Sequence, residues 1–208
     1  TWALSLCGGD ALSLRYRRRV KKRALHTGRA AIQMELRDPQ EGPALRTAAV
    51  LLAAGASTRM GGETSKALRE LGGRTILARS AAALLAAPSV DELVVVIREA
   101  DRRAVEFALE AHRGAIRALV EGGAERTDSV RAGVEAASDD VDVILVHDAA
   151  RCFVEPDHVE AVARAAYEHG SALLATRVSD TLKFVPNGFL SEESMDRDQY
   201  WAAQTPQG

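Results

Sequence analysis

The sequence predicts an α/β protein built on an open, mostly parallel sheet flanked by helices. Three observations predict it. After Thr47, short runs of Val, Ile and Leu alternate at least four times with stretches whose apolar residues recur at helical spacing. The runs lack polar breaks, as strands covered on both faces do. Aromatic residues make up 4% of a chain that is 47% hydrophobic, so the core must be Ala, Val, Leu and Ile, which suits helices packed on a Val-rich sheet. Strand followed by helix, repeated, gives parallel neighbours, and in such sheets ligands sit beyond the carboxyl ends of the strands.

Residues 1–46 fall outside this pattern. They start without Met, carry a basic run over 15–23 and show no sustained period before Pro43. They read as a disordered or misassigned basic leader. A solvated tail is the preferred form, with an organelle-targeting peptide and a nucleic-acid arm as alternatives. The first strand is expected over 48–53 and a helix over 75–86. A buried strand follows at 92–97, in which Leu93, Val94, Val95, Val96 and Ile97 succeed one another. A helix over 101–112 has Asp101 as its N-cap, a strand spans 116–120 and a helix 127–137. A buried strand at 143–146, a helix at 156–169 opened by Pro156, and a strand at 172–176 complete the series. Two arms of a ribbon, 181–185 and the stretch after Gly188, join through Pro186-Asn187-Gly188. Such a ribbon cannot bury itself and wants a partner chain, unless it is a plain surface hairpin.

Charge and cysteine content narrow the function classes. The net charge is −2, but residues 1–46 hold ten Lys and Arg against four Asp and Glu, leaving −8 on the rest. An acidic body with few rings argues against nucleic acid as a partner. No apolar stretch is long enough to cross a membrane. The two cysteines, Cys7 and Cys152, do not suggest a structural disulfide, so a soluble cytoplasmic protein is expected.

Four constellations follow strands. The first, Ala53-Ala54-Gly55-Ala56-Ser57-Thr58-Arg59-Met60-Gly61 with Lys66, offers small residues that let backbone N–H groups approach anionic oxygens. Arg59 brings a planar fork and Lys66 a compact charge, a pair suited to a triphosphate. No Gly-Lys-Ser/Thr closes the loop and its glycines do not match a dinucleotide fingerprint, which weakens kinase and dehydrogenase readings. An ordinary strand-to-helix turn with two solvated cations fits the same residues. The second, Gly122-Gly123-Ala124-Glu125-Arg126-Thr127-Asp128-Ser129, puts Ser129 in a first helical turn; a glycine turn with a cap is its simpler reading. The third, His147-Asp148-Ala149-Ala150-Arg151, ends a strand with an Asp suited to Mg2+, or to a salt bridge with Arg151. The fourth is spread over Ser179-Asp180-Thr181, Asp196-Arg197, Trp201 and Gln204-Thr205-Pro206-Gln207.

In this order and at these intervals the four sets resemble the 2-C-methyl-D-erythritol 4-phosphate cytidylyltransferase family, over nearly all of residues 47–208. The resemblance implies a nucleotidyltransferase with a Rossmann-like, mostly parallel sheet of the nucleotide-diphospho-sugar transferase type and a protruding β-ribbon arm. It implies transfer of CMP from CTP to a sugar-alcohol phosphate with release of pyrophosphate. Arg59 and Lys66 correspond to the transition-state stabilisers and Asp148 to the residue near Mg2+. Ala53, Ala54, Gly55, Gly122, Gly123 and Ser129 correspond to the CTP pocket, and Arg151, Thr181 and Arg197 to the acceptor site. Thr181 and Arg197 would reach the neighbouring subunit from the 180–200 ribbon, so a homodimer is expected. Ser57 stands where many members have Gly, and Ser65 and Cys152 where Pro is usual. The family continues beyond the QTPQ segment, so the domain over 47–208 is expected to lack its C-terminal part and activity to be weakened or lost. The alternatives are a ribitol 5-phosphate cytidylyltransferase, which HDAAR favours less, and a truncated, non-catalytic nucleotide-binding or dimerisation protein.

Overall fold

The apolar runs become strands of one mixed sheet. The computed structural model describes residues 2–6, 45–55, 65–190 and 195–208. In chain order they form β1 (Trp2–Leu6), β2 (Thr47–Leu52), a small hairpin of β3 (Glu70–Leu71) and β4 (Arg74–Thr75), α1 (Ile76–Leu85), β5 (Val90–Ile97), α2 (Arg102–Ala108), β6 (Ile116–Glu121), α3 (Arg126–Glu135), β7 (Val143–Asp148), α4 (Pro156–His169), β8 (Ala172–Arg177) and β9 (Trp201–Gln207). The order across the main sheet is β1-β8-β9-β7-β2-β5-β6. Strands β6, β5, β2 and β7 are parallel to one another, β9 runs antiparallel to both β7 and β8, and β1 antiparallel to β8.

Strand alternation sorts the unbroken apolar runs into two cores. Ala49, Leu51, Leu93, Val95, Ile97 and Leu145 form one core with Leu77 and Leu84 of α1 and Val159 and Val162 of α4. Ala48, Val50, Val94 and Val96 form the other, on the side where α3 crosses closely enough that a Cβ at Gly133 would meet Val50 Cγ1 at 2.3 Å. Each fully buried Leu or Val of this kind contributes about 1.5–3 kcal/mol relative to exposure. Continuous hydrophobicity along β5 is therefore the consequence of helices on both faces.

Local signals set the element ends. Thr75 Oγ1 accepts from the Ala78 N–H at 3.1 Å and caps α1. Helix α4 opens on Pro156 and ends on Gly170 at φ 89°, a left-handed conformation that costs glycine nothing. The helix expected over 101–112 ends instead at Ala108 and continues as a 3-10 stretch over Glu110–Ala115. Asp101 does not cap it, because its carboxylate takes the Arg98 Nε–H at 2.7 Å, and the chain turns at the fully buried Leu109.

Three expectations need correction. Trp2–Leu6, placed in the leader, forms β1 on the edge of β8; five residues are too short for a period to stand out beside the basic run. The ribbon arms are not seen as paired strands among the described residues: those of 181–200 hold one bridge residue, Lys183, and two single 3-10 turns, Pro186–Gly188 and Arg197–Gln199. A two-stranded arm has nothing to pack on in a single chain, and Phe189 remains 79% exposed. The third is β9, not expected as a strand. It lies inside the sheet although it contains Pro206, because its ladder to β7 is reduced to Val146 opposite Gln207 and its ladder to β8 is irregular beside Gln204–Pro206.

From β2 the chain steps outward to β5 and β6, then returns through α3 to β7 on the far side of β2. The direction of winding reverses between β2 and β7. That reversal opens a crevice at the carboxyl ends of these strands.

Candidate active site

Backbone hydrogen bonds stitch the carboxyl ends together. The Ala53 N–H donates to Val96 O at 2.7 Å, Gly122 N–H to Ile97 O at 2.9 Å, and Ala149 N–H to Leu52 O at 3.0 Å. The segments after β2, β6 and β7 are thereby held at one pole. A Cβ on Gly122 would lie 2.4 Å from Ala54 Cβ and 2.7 Å from Ser129 Oγ, so the turn after β6 folds over the end of β5 to touch the segment after β2. Ser129 is buried in the first turn of α3. The structure thus brings Ala54, Gly122 and Ser129 together, with Ala53, Gly55 and Gly123 adjoining them in sequence. Gly122→Ala is expected to wedge Ala54 away from α3, at a cost of about 1–3 kcal/mol in stability and with at least a tenfold loss of CTP affinity, read by denaturation and calorimetry.

Arg59 lies outside the described residues, which resume at Ser65. The Ser65 hydroxyl donates to Ala53 O at 3.4 Å, joining the two ends of the loop. Ser65 also caps the 3-10 turn Lys66–Leu68, accepting from the Ala67 N–H at 3.4 Å. Lys66, half-buried, leaves the loop next to that anchor. The serine in the usual proline position therefore supplies a side-chain tie.

Asp148 ends β7 between two arginines. Its Oδ1 accepts from Arg126 Nε at 3.2 Å and Nη2 at 3.1 Å, and its Oδ2 lies 3.5 Å from Arg151 Nε. Arg151 in turn donates to Gln204 Oε1. The expected Asp148–Arg151 pair exists, and Arg126 joins it. Sequence reasoning missed Arg126, whose signal was its place at the first position of a helix facing an acidic strand end. Asp128 holds that helix start by accepting from the Glu125 N–H at 3.1 Å. Beneath the loop, Ser80 of α1 donates to Ala149 O at 2.7 Å. A hollow of about 250 Å³ opens beside Arg151, Phe153, His158, Gln204 and Thr205.

His147, fully buried, is the least expected member. Its Nε2 lies 3.2 Å from Arg151 O and its Nδ1 3.0 Å from Thr205 Oγ1. Burial pushes its pKa down to about 4, against smaller raising effects from the Arg151 carbonyl and Asp148. Thr181 and Arg197 lie on the segment between β8 and β9. Both are exposed, and Arg197 Nη1 donates to Ser179 O at 3.2 Å across the base of the arm.

A parallel-sheet switch point, a small-residue loop carrying Lys66 and an arginine-flanked Asp at the next strand end define a nucleotidyltransferase rather than a P-loop or dinucleotide-binding enzyme. The comparisons agree. The family profile for 2-C-methyl-D-erythritol 4-phosphate cytidylyltransferase matches residues 47–208. A relative of that name from Synechococcus sp. WH7803 is 40% identical over 159 residues, covering 76% of this chain and 71% of its own length. A bifunctional IspD/IspF enzyme from Anaeromyxobacter sp. Fw109-5 is 43% identical over 166 residues, and this chain spans 42% of its length. The solved structure of 4-diphosphocytidyl-2C-methyl-D-erythritol synthase from Anaerococcus prevotii superimposes with a TM-score of 0.68 at 27% identity, covering 79% of this chain and 69% of that one. This chain belongs to the 2-C-methyl-D-erythritol 4-phosphate cytidylyltransferase family.

Proposed function

We propose that the chain transfers CMP from CTP to 2-C-methyl-D-erythritol 4-phosphate, releasing pyrophosphate. The observation that carries the reading is the convergence of Ala53, Ala54, Gly122, Ser129 and the base of the Lys66 loop at one switch point, in a chain whose residues 47–208 match the family. An oxygen of the acceptor phosphate attacks the α-phosphorus of CTP, and the bond to the β-phosphate oxygen breaks. The attacking oxygen is already anionic at neutral pH, so no general base is needed. Catalysis then consists of alignment and charge stabilisation. Lys66 and Arg59 take up charge on the transferring group. The segment Ala53–Gly55 with Gly122, Gly123 and Ser129 cradles the nucleotide, and Arg151 receives the acceptor phosphate.

A divalent ion is part of this proposal, and the residues fit one of a particular kind. Among the described residues no group of three or more His, Cys, Asp or Glu side chains could cage a metal. Asp148, one-third exposed, offers the single carboxylate that Mg2+ commonly uses while keeping waters and phosphate oxygens as its other ligands. When bound, the ion would neutralise phosphate charge. Arg126, which now holds Asp148 Oδ1, would share that carboxylate with the ion and could also reach the phosphates.

A homodimer through the arm belongs to the same reading, with Thr181 and Arg197 completing a partner's acceptor site. The exposed apolar side chains of Phe184, Val185, Phe189 and Leu190, from 47% to 79% accessible, support it. Location in the cytoplasm is part of the same proposal; Cys152 is a free thiol, and among the described residues no helix is long and apolar enough to cross a membrane. The test is pyrophosphate release from CTP and Mg2+ with either acceptor. Turnover of 2-C-methyl-D-erythritol 4-phosphate is expected. Turnover of ribitol 5-phosphate alone would reassign the substrate, and CTP binding without turnover of either would leave a nucleotide-binding protein.

A further inference from the structure

The last rung of the ladder between β8 and β9 pairs Arg177 with Trp201. Cross-strand partners present their side chains on one face of a sheet, and here Arg177 Cζ stands 4.8 Å from the centroid of the indole ring. A guanidinium at that distance over a tryptophan is attracted by the negative face of the ring and shields it from water. Alternation along β8 puts the pair on the face opposite Ala172 and Leu174, which pack in the core with α4, so the pair is held across the rung rather than by that helix. One backbone contact follows, from the Val178 N–H to Tyr200 O at 3.5 Å, long for an amide hydrogen bond. The rung is therefore where the ladder gives out and the segment carrying Thr181 and Arg197 begins.

The geometry points to Arg177 as a positioning residue for the acceptor end of the reaction: laid over Trp201, it sets the angle at which the segment between β8 and β9 leaves the sheet, and with it where Thr181 and Arg197 meet the acceptor phosphate. The inference rests on the reading that gives those two residues to a partner's acceptor site. Thr181 follows Arg177 by four residues and Arg197 precedes Trp201 by four, so each lies at most about 13 Å along the chain from the rung. Over that lever a swing of about 10° displaces the tips by about 2 Å, and a misplacement of about 1 Å is enough to cost on the order of a hundredfold in rate. Side chains tie the two roots in both directions. Arg177 reaches from β8 to Trp201, and Arg197 Nη1 returns from the other root to Ser179 O at 3.2 Å. The CTP cradle at Ala54, Gly122 and Ser129 is built on the ends of β2 and β6 and on α3, so nucleotide affinity is insulated from the rung.

Two readouts test the role on the full chain. With Trp2→Phe in the background Trp201 is the sole tryptophan, and Arg177→Ala is expected to raise the acrylamide quenching constant of its fluorescence at least about twofold. The same variant is expected to raise KM for the acceptor phosphate about tenfold and lower kcat about tenfold, with KM for CTP changed less than about twofold and an unchanged melting temperature. Arg177→Lys keeps a cation over the ring and should recover most of the loss, whereas Arg177→Met keeps only the stem and should not. Equal changes in the two KM values, rescue by methionine as full as by lysine, or quenching equal to that of the parent would overturn the role. A wild-type chain that turns over neither acceptor sinks the functional reading and the positioning role with it. An active wild type beside an unaffected Arg177→Ala sinks the positioning role alone.

Discussion

Replacing Lys66 with Ala is expected to lower kcat about a hundred- to a thousandfold while changing CTP affinity far less. A cation placed where charge develops on the transferring phosphoryl group acts more strongly on the transition state than on bound CTP, and only that difference accelerates the reaction. The fold gives Lys66 a fixed origin: the Ser65 tie to Ala53 O and the 3-10 turn it caps hold the start of the side chain against the end of β2. Single-turnover rates and calorimetry on the variant separate the two effects. An unchanged rate would remove Lys66 from the chemistry, and a large loss of CTP binding with kcat intact would make it a ground-state anchor.

The second large effect is on stability in acid. His147 is neutral in the native state, with its pKa lowered to about 4 by burial, against an ordinary value of 6.5. Above pH 6.5 the group is neutral in both native and unfolded chains and adds no pH dependence. As pH falls from 6.5 toward 4 the unfolded chain takes up a proton that the native one declines, so native stability drops. Below about pH 4 the native imidazole is protonated too, and the loss levels off. The whole step is on the order of 3 kcal/mol. Asp148 and Arg151, the charged groups nearest the imidazole, act on it in opposite directions. His147→Gln keeps one donor and one acceptor but cannot titrate. Denaturant midpoints at pH 7 and pH 4.5 should therefore converge for the variant relative to the wild type, even though the variant starts out less stable. Equal acid slopes in the two proteins would contradict a buried neutral His147.

What could be read in advance follows from which residues report on their surroundings. The unbroken run Leu93–Ile97 announces a strand covered on both faces, and Pro156 with Gly170 brackets α4 at both ends, because these residues carry their constraint locally. Strand β9 was illegible as a strand because the Gln204 side chain serves Arg151, that of Gln207 donates to Gln204 O, and Pro206 donates nothing to a ladder; its place depends on β7 and β8. Among the described residues of 181–200 the ribbon is not seen as paired strands, for the opposite reason. Residues 181–185 have strand composition, but pairing needs a surface that one chain does not supply. At the site, small residues and cations marked the phosphate end, whereas Arg126 and the His147–Thr205 contact arise from segments far apart in sequence and only the folded arrangement reveals them.

The central claim is that the crevice between β2 and β7 is where CTP lies. A crystal structure of the chain with CTP and Mg2+ tests it most directly. The account predicts cytosine against Ala53, Ala54, Gly122 and Ser129, with the triphosphate running toward Lys66 and Asp148. Nucleotide bound elsewhere, with Lys66 turned to bulk solvent and Asp148 still clamped by Arg126, would contradict it.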